Sequence, residues 1–224
     1  MRVIAFDTTG AACSLAITDS GSTLWSRTIS LPRGHAEALP KMAFEALQDT
    51  SLAAADFDRI GVTTGPGTFA GVRVGIAFAR GLALGSSACI IGVSTLRALA
   101  AGRAQELAVT APIIDARRGQ VYAALYSCAG AEILKPFVDD IAAARARLEQ
   151  ATGRTPFNTI GPGAHLIEEA ASQPQQSPRT EYPDPAVIAL LAQNSDPHEN
   201  PPAPLYLRAP DARPQTDRGF VANA

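Results

Sequence analysis

The first thirty residues alternate between short apolar runs and turn-forming clusters. The run VIAF at 3–6 ends at a turn that Asp7 opens (DTTG), and the run CSLAIT at 13–18 leads back from it. After the turn DSGS, apolar and polar residues alternate over 23–29. Short runs bounded by turn residues are typical of β-strands. The pattern predicts a three-stranded meander.

Helical periodicity begins after the meander and then alternates with short apolar runs. The predicted helices are 36–49, 68–84 and 94–102, and the predicted strands between them are 59–64 and 89–93. Strands and helices in alternation indicate parallel pairing with helices covering the faces of the sheet. This part of the chain therefore predicts an α/β lobe.

The segment PIIDARRGQVYAALY at 112–126 repeats the opening pattern of strand, Asp-led turn and strand, with Asp115 in the place of Asp7. The repeat predicts two lobes that open with the same hairpin. We expect an N-terminal lobe over 1–104, a smaller C-terminal lobe over 105–194 and a proline-rich tail over 195–224. The later elements are predicted as a strand at 132–138, a helix near 140–151, a strand entering a turn over 158–164, and helices over 164–171 and 185–193. The tail is expected to be mostly irregular, with the apolar residues of LYLR (205–208) docked.

Composition limits the functions that this chain can perform alone. Hydrophobic residues make up 46% of the 224 residues and charged residues 18%, so a buried core is available. The net charge is -2, with 19 basic and 21 acidic residues. Proteins that grip RNA alone usually have a basic surplus, because phosphate neutralisation supplies most of the affinity. Any contact with RNA is therefore expected to need a more basic partner.

The pattern of apolar residues predicts a soluble, cytoplasmic protein with no membrane contact. No uninterrupted apolar stretch approaches the roughly 20 residues that span a bilayer, and the opening run of four apolar residues is too short for a signal peptide. The three cysteines, Cys13, Cys89 and Cys128, are far apart in the sequence and lie in apolar runs. We expect them to be buried, reduced thiols.

No metal site or cofactor is predicted. The histidines are scattered at 35, 165 and 198, and none has a second histidine four residues away, whereas zinc and iron sites need several ligands to converge. His35 opens a helix and is interpreted as a capping or surface residue. Asp7 and Asp115 each end a strand, where they could serve a magnesium-dependent phosphotransferase or simply stabilise a turn.

The most unusual stretch is GPGTFAGVRVGIAFARGLALG at 65–85. It has no lysine for a phosphate-binding P-loop, and its first three glycines miss the G-x-G-x-x-G spacing by one residue. Thr68 is placed to cap the helix and leave free amides for an anion, although an ordinary capped helix start explains the same residues. The phosphate-binding interpretation is therefore the weaker one.

The helix in this stretch is apolar or small on almost every side, which indicates burial on more than one side. Small residues recur every four positions and predict a groove that another backbone can approach. The groove could be filled within the chain's own fold, but we favour a helix shared with another chain, with Phe44 of the preceding helix beside it. The predicted partner interface is Phe44, Gly71, Val72, Arg73, Gly75, Ile76 and Ala79.

Six segments together resemble the TsaB (YeaZ) family, the small partner subunit in tRNA threonylcarbamoyladenosine synthesis. They follow one another over nearly the whole chain, and the string GPG-[ST]-F-x-G-[LV]-R-x-G is specific. The segments are IAFDTTGAACSLAI, HAEALPKMAFEAL, GPGTFAGVRVGIAFARGLALG, GVSTLRALA, IIDARRGQVYAALY and PLYLR. The resemblance implies the duplicated, two-lobed actin/Hsp70-like (ASKHA, RNase H-like) α/β fold, with a reduced second lobe.

The resemblance also implies a non-catalytic subunit without a catalytic residue of its own. Its implied partners are a TsaD-type catalytic subunit and a TsaE-type ATPase, with tRNA reached only through the complex and a homodimer formed when the chain is alone. Relatives of the TsaD type carry an H-x-x-x-H metal pair. Here His35 is followed by Leu39 in place of the second histidine, which argues against metallopeptidase activity. A small ATP-dependent kinase that uses Asp7 and Asp115 is the chief alternative.

Overall fold

The structure is a computed structural model in which residues 1–102, 109–153, 155–169 and 181–208 are described. Within those ranges no helix is long and apolar enough to cross a membrane. The predicted boundary near residue 104 and the tail beyond residue 208 lie outside the described residues.

The helices and strands follow the predicted order. The strands are β1 (Arg2–Asp7), β2 (Ala12–Asp19), β3 (Ser22–Ser30), β4 (Arg59–Thr63), β5 (Cys89–Val93), β6 (Val109–Arg117), β7 (Gln120–Ser127), β8 (Glu132–Asp140) and β9 (Asn158–Ile160). The helices are α1 (His35–Thr50), α2 (Phe69–Ala83), α3 (Thr95–Ala101), α4 (Ile141–Ala151), α5 (Ala164–Glu169) and α6 (Pro185–Gln193). The predicted meander and the predicted β–α alternation are both confirmed.

The strands form two sheets with the same order. The first sheet runs β3-β2-β1-β4-β5 and the second runs β8-β7-β6-β9. In each sheet an antiparallel meander is followed by a strand parallel to its first member. Among the described residues the second sheet has no counterpart of β5. The fold is therefore a duplication, as the repeated Asp-led hairpin predicts, with a reduced second half, as the resemblance implies.

Alternate residues of β1 face opposite sides of the first sheet, because successive side chains of a strand point in opposite directions. Ile4 and Phe6 lie in one apolar cluster with residues of α1 and α2. Val3 and Ala5 lie in a second cluster on the other face. Both faces of this strand are therefore buried.

Helix α6 covers the second face of the first sheet. Ile188, Ala189 and Ala192 pack with Val3 and Ala5. Chain order predicts that this helix lies in the second lobe, because it follows the second hairpin. The structure places it on the first lobe, because its apolar side chains complete the face that α1 and α2 leave uncovered.

Two residues of β4 hold α6 in place. A Cβ on Gly61 would lie 2.9 Å from the Cβ of Ala192, so only glycine allows this approach. Arg59 donates from Nη1 to the carbonyl oxygen of Ala192 at 2.7 Å and also to that of Ser195. A guanidinium at this position satisfies the end of the helix and complements its dipole.

The two lobes meet through α3. Leu96 and Ala100 of this helix form a buried cluster with Ala124 and Tyr126 of β7. Burial raises the pKa of Tyr126 to about 12. Helix α3, which follows the last strand of the first sheet, therefore supplies an apolar contact to the second sheet.

Only one cysteine is buried as predicted. Cys13 lies in the core, whereas Cys89 and Cys128 are exposed. Cys89 begins β5, an edge strand of the first sheet, and Cys128 follows the last residue of β7. A cysteine in an apolar run is exposed when its strand lies at the edge of the sheet, as for Cys89, or when the strand has just ended, as for Cys128.

Candidate functional site

Asp7 ends β1 and is almost completely enclosed, with 1% of its surface exposed. Its Oδ1 accepts hydrogen bonds from the Thr9 amide at 3.1 Å, the Thr9 hydroxyl at 2.6 Å and the Thr63 hydroxyl at 2.5 Å. Its Oδ2 is buried and has no hydrogen-bond partner among the described residues. Burial raises the pKa of Asp7, and the hydrogen bonds from Thr63 and Thr9 oppose that rise. This carboxyl group is thus a buried, turn-stabilising group.

The start of α2 closes over the turn that follows Asp7. The Thr68 amide donates to the Thr9 carbonyl at 2.7 Å, and the Thr8 hydroxyl donates to the Gly71 carbonyl at 2.7 Å. The Thr68 hydroxyl accepts from the Gly71 amide at 3.2 Å, which confirms the predicted helix cap. The turn and the helix start are therefore joined by two hydrogen bonds, and the cap bond orders the helix start itself.

Glycine is required for this closure. A Cβ on Gly71 would lie 1.9 Å from the Thr8 carbonyl oxygen, and a Cβ on Gly67 would lie 2.5 Å from the Thr9 carbonyl oxygen. A Cβ on Gly75 would lie 2.8 Å from the Thr8 hydroxyl and 3.2 Å from Cγ2 of Val62. The predicted groove exists, but the chain's own β1 turn and β4 fill it.

This packing corrects most of the predicted partner interface. Five of its seven residues are buried inside the first lobe: Gly71, Val72, Gly75, Ile76 and Ala79. Periodicity located the small side of the helix but did not identify the neighbour that packs there. Phe44 and Arg73 are exposed, and their contact with a partner stays a prediction.

Opposite the core, α1 and α2 present an exposed surface that we call the docking face. The two helices lie on the same side of the first sheet. Phe44 is 61% exposed and Leu84, just after α2, is 91% exposed. The exposed side chains of α1 and α2 that form this face are Lys41, Phe44, Gln48, Phe69, Arg73, Ala77, Arg80 and Leu84. Phe44, Phe69 and Leu84 are large and apolar, and exposed apolar side chains that lie together are typical of an interaction surface.

One end of the docking face carries two aromatic rings and a guanidinium. The rings of Phe69 and Tyr206 stack with centroids 5.9 Å apart. The Arg73 guanidinium lies 3.8 Å from the Phe69 centroid, and its Nε donates to the Tyr206 hydroxyl at 3.2 Å. Two segments that are far apart in the sequence, the glycine-rich helix and PLYLR, therefore meet here. Neither segment carries a sequence pattern that predicts this contact.

The segment 200–208, which we call the strap, covers the carboxyl ends of β4 and β5. The Gly92 amide donates to the Asn200 carbonyl, and the Leu205 amide donates to the Thr64 carbonyl, both at 2.8 Å. Ligands of open α/β sheets bind at the carboxyl ends of the parallel strands. In this chain the backbone of the strap occupies that edge of the sheet. The docking of Leu205 agrees with the prediction for LYLR.

Asp115, the second predicted aspartate, is held differently from Asp7. Its Oδ1 accepts from the Arg117 amide at 2.7 Å and its Oδ2 pairs with the Arg117 guanidinium at 3.0 Å. Arg117 and Arg118 both have positive φ, at 64° and 57°. Asp115 therefore organises its own hairpin turn, and both of its oxygens are engaged there.

The histidine at the start of α1 belongs to the core of the first lobe. His35 is buried, with Nε2 3.1 Å from the Ala12 carbonyl oxygen. This corrects its assignment as a cap or surface residue: the ring reaches back to β2. Leu39, one turn later, is also buried. The described part of the chain has no cluster of three His, Cys, Asp or Glu side chains suited to a metal ion.

Comparison with known proteins agrees with these features. A family model described as TsaD, tRNA N6-adenosine threonylcarbamoyltransferase, matches residues 30–202. The tRNA threonylcarbamoyladenosine biosynthesis protein TsaB of Escherichia coli (strain K12) is 39% identical over 128 residues, which are 56% of this chain and 55% of that protein. The match thus spans about half the length of this curated relative.

Solved structures extend the likeness to nearly the whole chain. YeaZ from Pseudomonas aeruginosa has a TM-score of 0.71 and 26% identity, over 92% of this chain and 99% of that chain. Component A of the (R)-2-hydroxyglutaryl-CoA dehydratase of Acidaminococcus fermentans shares the fold alone, with a TM-score of 0.52 and 11% identity over 86% of this chain and 97% of that chain.

The fold and the family follow from these findings together. The two sheets of equal order, the second one reduced, form the duplicated actin/Hsp70-like (ASKHA, RNase H-like) α/β fold. The chain therefore belongs to the family that the TsaD model describes and, within it, to the TsaB (YeaZ) proteins.

Proposed function

We propose that this chain is a non-catalytic subunit that docks on a TsaD-type transferase and supports the formation of N6-threonylcarbamoyladenosine in tRNA next to the anticodon. The observation that carries the non-catalytic part is the enclosure of Asp7. Its carboxyl group is 1% exposed, and the strap covers the neighbouring carboxyl ends of β4 and β5. A carboxylate in that position cannot reach a substrate without rearrangement of the backbone around it.

The second aspartate supports the same conclusion. The carboxylate of Asp115 is paired with Arg117 in its own turn. A kinase that used both aspartates around magnesium would have to break this ion pair and expose Asp7. The kinase alternative is therefore less consistent with the site than a role as a partner.

The docking face supports association with another chain. α1 and α2 bury their small and aliphatic residues in the first lobe and still leave Phe44 and Leu84 on the surface. An exposed aromatic residue surrounded by longer polar side chains resembles the centre of an interface, where buried aromatic anchors supply most of the binding energy. The partner we propose for this face is the TsaD-type subunit.

The remaining partners follow from the same role. With a net charge of -2 the chain has no basic surplus for RNA, so we propose that tRNA is reached only through the complex. A TsaE-type ATPase is proposed as a further partner. When the transferase is absent, the docking face is proposed to pair with a second copy, because two-fold contacts between identical patches are the commonest way for a chain to self-associate.

The test is the affinity of the purified chain for the TsaD-type subunit of the same organism, measured by analytical ultracentrifugation. Phe44→Glu places a charge at the centre of the proposed interface. Loss of a central aromatic anchor costs about 2 kcal/mol or more, so Kd should rise at least about 30-fold. Self-association of the isolated chain should weaken with it.

Ile133→Glu is the matched control, since it places the same charge on an exposed apolar residue of β8 in the second lobe, 45% exposed. It should leave both associations unchanged. Equal affinity for the native chain and Phe44→Glu, with both folded, would place the interface elsewhere. ATP turnover by the pure chain that disappears in Asp7→Ala would instead favour the kinase.

A further inference from the structure

The strap connects three separate parts of the molecule. It begins against β5, where Asn200 accepts from Gly92, and continues past the end of β4, where Leu205 donates to Thr64. It ends against the second lobe through Arg208. The described tail is thus in contact with both lobes.

Arg208 makes the contact with the second lobe. Its Nη1 donates to the Ala116 carbonyl at 3.0 Å, and its Nη2 donates to the side-chain oxygen of Gln120. These acceptors lie on the two strands of the β6–β7 hairpin, on either side of its turn. A planar guanidinium can bond two acceptors at once in a fixed geometry, which a lysine cannot do.

The strap contact is separate from the apolar contact between the lobes. The apolar contact joins α3 to Ala124 and Tyr126 of β7, with Tyr122 packed against it, whereas Arg208 bonds at Gln120, where β7 begins. The two residues of strand from Tyr122 to Gln120 span about 7 Å. A single apolar patch leaves two bodies able to rock about it, and a second contact at that distance opposes the rocking.

We propose that the strap is a brace that holds the two lobes in one orientation, with Arg208 as its attachment to the second lobe. Leu205 anchors the strap to the first lobe, and Tyr206 between them stacks on Phe69 of the docking face. The brace therefore also connects the docking face to the β6–β7 hairpin. This inference goes beyond the proposed docking and does not depend on it, because it concerns the isolated chain.

The native cysteines provide a direct measurement. Cys89 lies in the first lobe and Cys128 in the second, and both are exposed, while Cys13 is buried and its pKa is raised to about 11 by burial. Spin labels on the two exposed thiols report the distance between the lobes by double electron–electron resonance. Dilution with unlabelled protein removes distances between different copies.

The native chain should give one narrow distance distribution, and Arg208→Ala should broaden it about twofold or more in width. Arg27→Ala is the matched control, because it also removes a guanidinium group, but one whose contacts with Glu45 and Trp25 lie within the first lobe. It should leave the distribution narrow.

A distribution for Arg208→Ala as narrow as that of the native chain would overturn the proposal. Melting curves monitor folding of every variant. If Arg208→Ala is not folded, Arg208→Lys provides the same test, since it keeps the charge and loses the planar fork that holds the two acceptors in a fixed geometry. Its distribution should be broader than the native one, and an unchanged width would count against the brace.

Discussion

Replacing Gly71 or Gly81 by alanine tests the close contact between α2 and the turn after Asp7. The two glycines lie in the same helix and differ in their surroundings. A Cβ on Gly71 would be 1.9 Å from the Thr8 carbonyl oxygen, whereas a Cβ on Gly81 would meet nothing within 4 Å. Ordinary contact begins at 3.4 Å, so the turn and the helix would have to separate by about 1.5 Å in a densely packed region.

The magnitudes follow from two opposing effects. Alanine in a helix is favoured over glycine by about 0.5–1 kcal/mol, and this gain applies at both positions. Overpacking typically costs about 1–3 kcal/mol and occasionally more. Gly71→Ala belongs at the upper end, because the atom that must move is backbone and carries the Thr68–Thr9 and Thr8–Gly71 hydrogen bonds with it. We therefore expect a net loss of about 2 kcal/mol for Gly71→Ala and a gain of about 0.5–1 kcal/mol for Gly81→Ala.

Thermal unfolding followed by circular dichroism measures the difference. For a chain of this size, 1 kcal/mol corresponds to about 2–4 °C in Tm. Gly71→Ala should melt about 4–8 °C below the native chain and Gly81→Ala slightly above it. Equal melting temperatures for the two variants would refute the inference that the glycine-rich helix is packed against its own lobe.

Two further predictions concern buried ionisable groups. Burial raises the pKa of Asp7 above its ordinary value of 3.8, so its contribution to stability is complete below about pH 3.8 and is lost as pH rises through the folded-state pKa. Urea midpoints should therefore fall less steeply above about pH 4 for Asp7→Asn, which cannot ionise, than for the native chain, and parallel curves would contradict this. Burial raises the pKa of Cys13 to about 11, whereas Cys89 and Cys128 are exposed. Because the thiolate is the reactive form, a thiol reagent should modify two cysteines in the folded chain and the third only after unfolding. Rapid reaction of all three would show that the core around Cys13 is open.

The fold was accessible from the sequence because its signals are local. The opening hairpin is marked by apolar runs on both sides of Asp7, and the second hairpin repeats that pattern around Asp115. The cap at Thr68 was also predictable, because it depends on neighbouring residues in the chain. Local patterns of this kind do not depend on which distant element packs against them.

The site was less accessible, because it depends on contacts between distant segments. The spacing of Gly71 and Gly75 shows that something packs closely against α2, but it does not distinguish another chain from Thr8 of the same chain. The contact of His35 with Ala12 and that of Tyr206 with Phe69 have no signal in either segment alone. Chain order also misleads for α6, because the chain returns to the first lobe after the second sheet.

The covering of the first sheet by α6 has a consequence for synthesis on the ribosome. Val3, Ala5, Ile91 and Val93 share one apolar face, and the helix that buries most of it, α6 (Pro185–Gln193), comes long after β5, which ends at Val93. At about 5–20 residues per second, the roughly 100 residues from the end of β5 to the end of α6 take on the order of 5–20 s to emerge. During that interval Ala98 of α3 can pack on the face, but the side chains of α6 that cover the rest are absent. Protection of this face from aggregation must therefore come from chaperones or the ribosome surface until residues 185–193 have left the exit tunnel.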